Sequence, residues 1–138
     1  MNNLTNENVD GFADLIDLDN DAGGNVMDAY QELATKSAVY PGQGTPLGMA
    51  YVALKMNGEA GEFAEHVGKA MRDDRYGEDE LTKERRLLLI KEVGDVLWYL
   101  SAACNELGIK LSDAALTNLE KLASRTARGV LNGSGDNR

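Results

Sequence analysis

Met56, Ala60, Phe63, Ala64, Val67 and Met71 recur at steps of three and four along a stretch, from Leu47 to about Arg72, that follows the last proline of the chain, Pro46. That spacing lines them up as one stripe of an α-helix and conflicts with the two-residue alternation of a half-buried strand. A second stretch, from about Glu80 to Leu107, repeats it with Leu89, Val93, Val96, Leu97, Leu100, Ala103 and Leu107. Val26, Tyr30, Leu33 and Ala34 sketch a shorter helix that runs to about Ser37, before the breaker Tyr40-Pro41-Gly42-Gln43-Gly44-Thr45-Pro46. Gly108 ends the long second stretch, and Ser112 with Asp113 opens a last helix whose buried face is expected to be Ala115, Leu119, Leu122, Ala123 and Thr126. The fold class is therefore all-α, a helical bundle.

A chain of 138 residues with 43% hydrophobic content suits one domain with a core. The expected division is a polar segment over 1–25, a helical domain over 26–128 and a glycine-rich tail over 129–138. The first segment holds one apolar cluster, Phe12, Leu15 and Ile16, where a short helix is expected. Its run from Asp17 to Gly23 starts like a calcium loop, but Ala22 takes the glycine position and Asp28 the place of the bidentate glutamate, so an ordinary turn is the better reading. A net charge of −9 argues against a nucleic-acid polymer or an anionic membrane as partner. A phosphorylated small molecule stays admissible, because a bound metal supplies positive charge locally. Cys104 is the one cysteine, which points to a reducing cytoplasm, and no apolar run reaches the length of a membrane span.

Two acidic pairs carry the chemistry. Glu59 and Glu62 sit three residues apart in Gly58-Glu59-Ala60-Gly61-Glu62, and Glu92 and Asp95 three apart in Glu92-Val93-Gly94-Asp95. On helices, each pair presents two carboxylates on one face, about 5–6 Å apart at Cβ. Hard divalent cations, Mg²⁺ above all, take such oxygen ligands. Without a cation, carboxylates about 5 Å apart repel by about 3 kcal/mol per pair at an effective dielectric near 20. A solvated acidic face is the ordinary alternative for either pair alone. Glycine inside a helix costs about 1 kcal/mol relative to alanine. Gly58, Gly61 and Gly94 therefore point to close approach by another helix or a ligand.

Around the acids the helical wheel gathers further polar groups. Lys55, Glu59, Glu62, His66 and Lys69 form a stripe beside the apolar one, with Lys55 and Lys69 placed to grip phosphate or to pair with glutamate. His66, the only histidine, reads as a polar surface residue rather than a ligand. Tyr99 follows Asp95 by one turn; it and Trp98 could stack on a base or serve as boundary aromatics. Asn118, Lys121 and Arg125 make a second stripe on the last helix, where cations suit the helix C-terminus or the outer phosphates of a ligand.

The order Glu-x-x-Glu then Glu-x-x-Asp, with Glu92 30 residues beyond Glu62, resembles the MazG-like nucleotide pyrophosphohydrolases of the all-α NTP pyrophosphatase group, in their phage and bacterial form. Tyr30-Gln31, Thr35, Tyr40-Pro41, Lys69, Arg72-Asp73, the run Val96-Leu97-Trp98-Tyr99-Leu100, Asn118-Leu119-Glu120-Lys121-Leu122, Arg125 and Arg128-Gly129 extend the likeness. The resemblance implies that Glu59, Glu62, Glu92 and Asp95 hold Mg²⁺, with Mn²⁺ a possible substitute. It implies a nucleoside triphosphate substrate, a deoxynucleotide foremost, cut between the α and β phosphates, and a homo-oligomer, dimer or tetramer, with sites completed across subunits in the cytoplasm (a host's, for a phage protein). On that reading Glu59 or Glu62 acts as general base, Lys69, Lys121 and Arg125 hold phosphates, Asn118 meets sugar or phosphate, and Tyr99 or Trp98 stacks near the base. Lys55, Asn57 and Gly68 depart from the pattern.

Two other classes compete. A di-iron carboxylate bundle needs Glu-x-x-His on two helices, and here Phe63 stands three before the single histidine. The other is a non-catalytic acidic scaffold that binds a partner. Broad apolar faces on few helices favour an oligomer in either case.

Overall fold

The computed structural model describes residues 25–130. The expected N-terminal helix around Phe12, the turn from Asp17 and the end of the tail lie outside them. The described residues form α1 (Val26–Lys36), α2 (Pro46–Asp73), α3 (Lys83–Leu107) and α4 (Leu111–Ala127). Asn25 caps α1 by accepting from Met27 N at 3.0 Å, and Pro46 opens α2, where its missing N–H costs nothing.

α2 and α3 form an antiparallel hairpin. A Cβ placed on Gly48, near the start of α2, would lie 3.0 Å from Glu106 at the end of α3, while beyond the other end of α2 Asp74 accepts from Arg85 Nε at 2.6 Å. Gly48 has to be glycine, because its Cβ would also stand 2.4 Å from the Gly42 carbonyl oxygen. α3 begins at Lys83, three residues after the expected start at about Glu80, because Thr82 takes the cap and its hydroxyl accepts from Arg85 N at 3.2 Å. Gly108 ends α3 in the left-handed conformation, φ 67°.

α1 lies on α3 and α4 and adds to the cap of α4, where Asp113 accepts from Lys110 N at 3.3 Å but the N-cap residue Lys110 offers no side-chain acceptor. Gln31 Oε1 accepts from Leu111 N at 2.7 Å and Asp28 Oδ1 from Ser112 N at 3.1 Å, while Gln31 Nε2 donates to Asn105 Oδ1 and to the Ile109 carbonyl. Trp98 ties α3 to the other end of α1, its indole N–H shared between the Ala34 carbonyl and Ser37 Oγ at 3.1 and 2.9 Å.

The buried set differs from the expected stripes. Ala34, Val52, Ala70, Ala102, Cys104 and Leu111 are its apolar members, joined by Gln31, Glu92, Ser101 and Arg125. The α2 stripe is not sealed: Ala60 and Ala64 are exposed and Met71 is 59% exposed. On α4, Leu119, Leu122, Ala123 and Thr126 are exposed rather than buried. Among the described residues, four helices leave the apolar faces marked by the periodicity partly uncovered. The close approach expected at Gly58, Gly61 and Gly94 is likewise not made among the described residues, where a Cβ at any of the three would meet nothing within 4 Å.

Candidate metal and nucleotide site

Antiparallel packing brings the middle of α2 against the middle of α3, and with it the acids. Carboxylate oxygens of Glu59, Glu62 and Glu92 lie within 4.8 Å of one another. Glu92 is buried, Glu59 half-buried and Glu62 exposed, so the cluster opens outward on the Glu62 side. At an effective dielectric near 20, charges at that distance repel by about 3 kcal/mol per pair. The donor set is all oxygen, which suits Mg²⁺ or Mn²⁺.

Two groups of α2 flank the cluster. Lys55 Nζ is 3.5 Å from Glu59, and His66 Nε2 is 3.6 Å from Glu92 Oε1. Tyr99, then Glu59, raise the Lys55 ammonium above its ordinary range. His66 corrects the sequence reading. Its side chain is only 22% exposed and faces an acid across the helix pair, so it is not an ordinary surface residue.

Asp95 is exposed and stands outside the converging trio, one turn beyond Glu92. It meets Glu59 instead in a neighbouring pocket of about 420 Å³, lined by Ser37, Glu59, Asp95, Trp98 and Tyr99. The Tyr99 ring packs edge-on to Trp98 at 4.9 Å between centroids, and burial pushes its phenol up. Tyr30 of α1 is raised as well, by burial first and then by the Asp95 charge. The pocket thus has aromatic and acidic walls and adjoins the carboxylate cluster through Glu59.

The remaining expected residues are less concentrated. Lys69 is engaged by Glu65 at 2.7 Å. Asn118, Lys121 and Arg125 sit on α4, which packs on α1 and α3, and none of them lines the pocket that holds Glu59 and Asp95. Ser37 and Tyr30 were not anticipated as neighbours of the site. His66 could have been, since it falls one turn after Glu62 on the stripe that carries both α2 glutamates.

A model of the MazG nucleotide pyrophosphohydrolase domain matches residues 50–129, more than half of the chain and the part that carries all four acids. The chain belongs to the MazG family. Among relatives of this MazG protein, one from Mycobacterium phage L5, called "Gene 37 protein", is 44% identical over 115 residues, which make up 81% of this chain and 98% of the relative. No solved structure matches the chain significantly. Membership gives the class of chemistry, nucleotide pyrophosphohydrolysis, and an acidic cluster fits the family's use of a divalent cation. Among the described residues no helix is long and apolar enough to cross a membrane.

Proposed function

We propose that this MazG protein hydrolyses nucleoside triphosphates, deoxynucleotides foremost, to nucleoside monophosphate and pyrophosphate in the control or sanitation of a cytoplasmic nucleotide pool. The observation that carries the reading is the convergence of Glu59, Glu62 and Glu92 beside an aromatic-walled pocket that shares Glu59 with them. Glu59, Glu62 and Glu92, with Asp95 from the pocket side, would hold Mg²⁺. A bound Mg²⁺ makes water more acidic and screens charge on the departing pyrophosphate.

The chain's own residues do the rest. A carboxylate oxygen of Glu59 or Glu62 left out of coordination takes the proton from the water that attacks the α-phosphorus in line. Glu62, the more open of the two, is the better placed to reach solvent. The Tyr99 and Trp98 rings give a base an apolar wall. Lys69 becomes available to phosphate by exchanging Glu65 for it. Asn118, Lys121 and Arg125 act on sugar and phosphates in an assembled oligomer, where a second chain completes the site.

A turnover panel of the standard dNTPs and NTPs with Mg²⁺, scoring pyrophosphate and orthophosphate separately, tests the proposal. Pyrophosphate should appear one-for-one with monophosphate and disappear on chelation. Glu62→Ala and Asp95→Ala should each lower turnover by about 100-fold or more, within the usual range for removing acid–base or charge-stabilising groups, while helicity is kept. An oligomer that cleaves no nucleotide and shows no Mg²⁺-dependent thermal shift would instead be a non-catalytic scaffold.

A further inference from the structure

Glu92 is the most enclosed of the three converging acids, and one nitrogen approaches it from the side, His66 Nε2 at 3.6 Å from Oε1. The converging set comprises Glu59, Glu62 and Glu92 and leaves His66 out. The imidazole therefore stands against Glu92 rather than at the place where the acids meet. Its other nitrogen fixes how it can act. His66 Nδ1 is buried and has no hydrogen-bond partner among the described residues. In a neutral imidazole one nitrogen donates and the other accepts. With the proton on Nδ1, a buried N–H would go unmatched while a nitrogen lone pair faced a carboxylate oxygen, two unfavourable contacts at once. With the proton on Nε2, the donor faces the acid and only a lone pair is idle.

We propose that His66 is a positioning residue for Glu92. Its Nε2–H anchors one carboxylate oxygen and leaves the other for the cation, which fixes the α3 wall of the acid cluster before any ion arrives. The separation is a few tenths of an ångström beyond a hydrogen bond, and a small turn of the carboxylate closes it. Ligating carboxylates held in this way bind metal more tightly, and loss of such a partner typically costs 10–100-fold in affinity. The inference rests on reading the acids as a metal seat.

Mn²⁺ binding to the full chain without nucleotide, followed by the electron paramagnetic resonance of the free ion, tests it. His66→Leu should weaken Mn²⁺ binding by about 10–100-fold. His66→Gln, whose terminal amide can present a donor where Nε2 stood, should stay within about threefold of the parent. In a Glu92→Gln background, His66→Leu should add nothing, because the two act through one carboxylate. Affinity unchanged in the leucine variant, equal loss in the glutamine variant, or full additivity with Glu92→Gln would each overturn the assignment. If the leucine variant does not fold, as judged by its metal-free circular dichroism, His66→Asn takes its place, since its amide is polar but too short to reach Glu92. A parent chain that binds no Mn²⁺ at all removes the metal seat itself, and that result is read before any His66 substitution is made.

Discussion

Glu106 shows how one buried-edge acid organises the approach to α2. It accepts from the Tyr40 hydroxyl at 2.6 Å and from Gly44 N at 3.0 Å, and so holds the turn that delivers Pro46 to the helix start. Burial, and then the bond to Glu106, push the Tyr40 phenol up to about 12. An unfolded tyrosine ionises near 10, so the contact is intact below about pH 10 and its contribution is lost as the pH rises through about 12. Tyr40→Phe should therefore lower stability near neutral pH by on the order of 2 kcal/mol and flatten the loss of stability between about pH 10 and 12, as read from urea unfolding across that range. None of this was legible in the sequence. Tyr40-Pro41 signalled a turn, but nothing marked Glu106 as its partner 66 residues on. The convergence of Glu59, Glu62 and Glu92 could be anticipated because three-residue spacing puts each acidic pair on one helix face; that Asp95 stands apart, and which groups face the acids, could not, because spacing says nothing about what the neighbouring helix presents. His66 stands on the predicted stripe, yet only the antiparallel register sets it against Glu92.

At the scale of elements, α4 is the least self-sufficient. Its first amide groups are satisfied by Gln31 and Asp28 of α1, and Gln31 also binds Asn105 and the Ile109 carbonyl. Gln31→Ala removes three hydrogen bonds from a residue only 6% exposed and leaves Leu111 N without an acceptor. The expected cost is on the order of 3 kcal/mol. Hydrogen exchange should show it as faster opening at the start of α4, with α2 and α3 little changed. Helix existence and type were readable from periodicity, and the end of α3 from Gly108. The start of α3 fell three residues beyond the expected Glu80, because apolar spacing does not mark the Thr82 cap, and most of the expected buried face of α4 is exposed among the described residues, because apolar spacing locates a face without saying what covers it.

At the scale of the molecule, the described residues leave a good deal of that apolar surface uncovered. Val93 is 54% and Leu100 41% exposed, and with Ala60, Phe63, Val96 and Leu97 they line an open apolar groove of about 340 Å³ between α2 and α3. Among the described residues nothing stands over Gly58, Gly61 and Gly94, which leaves room for another backbone beside the acids. We expect at least a dimer at micromolar concentration by sedimentation, and Val93→Asp should shift it toward monomer by setting a charge in a dry interface. Trp98 gives such measurements an internal reporter. It is the only tryptophan of the sequence, it touches α1 through its N–H and Tyr99 through its ring, and it lines the pocket next to the acids. Its fluorescence consequently comes from one place, so quenching by a bound nucleobase or a spectral change as α1 loosens can be followed in the unlabelled protein.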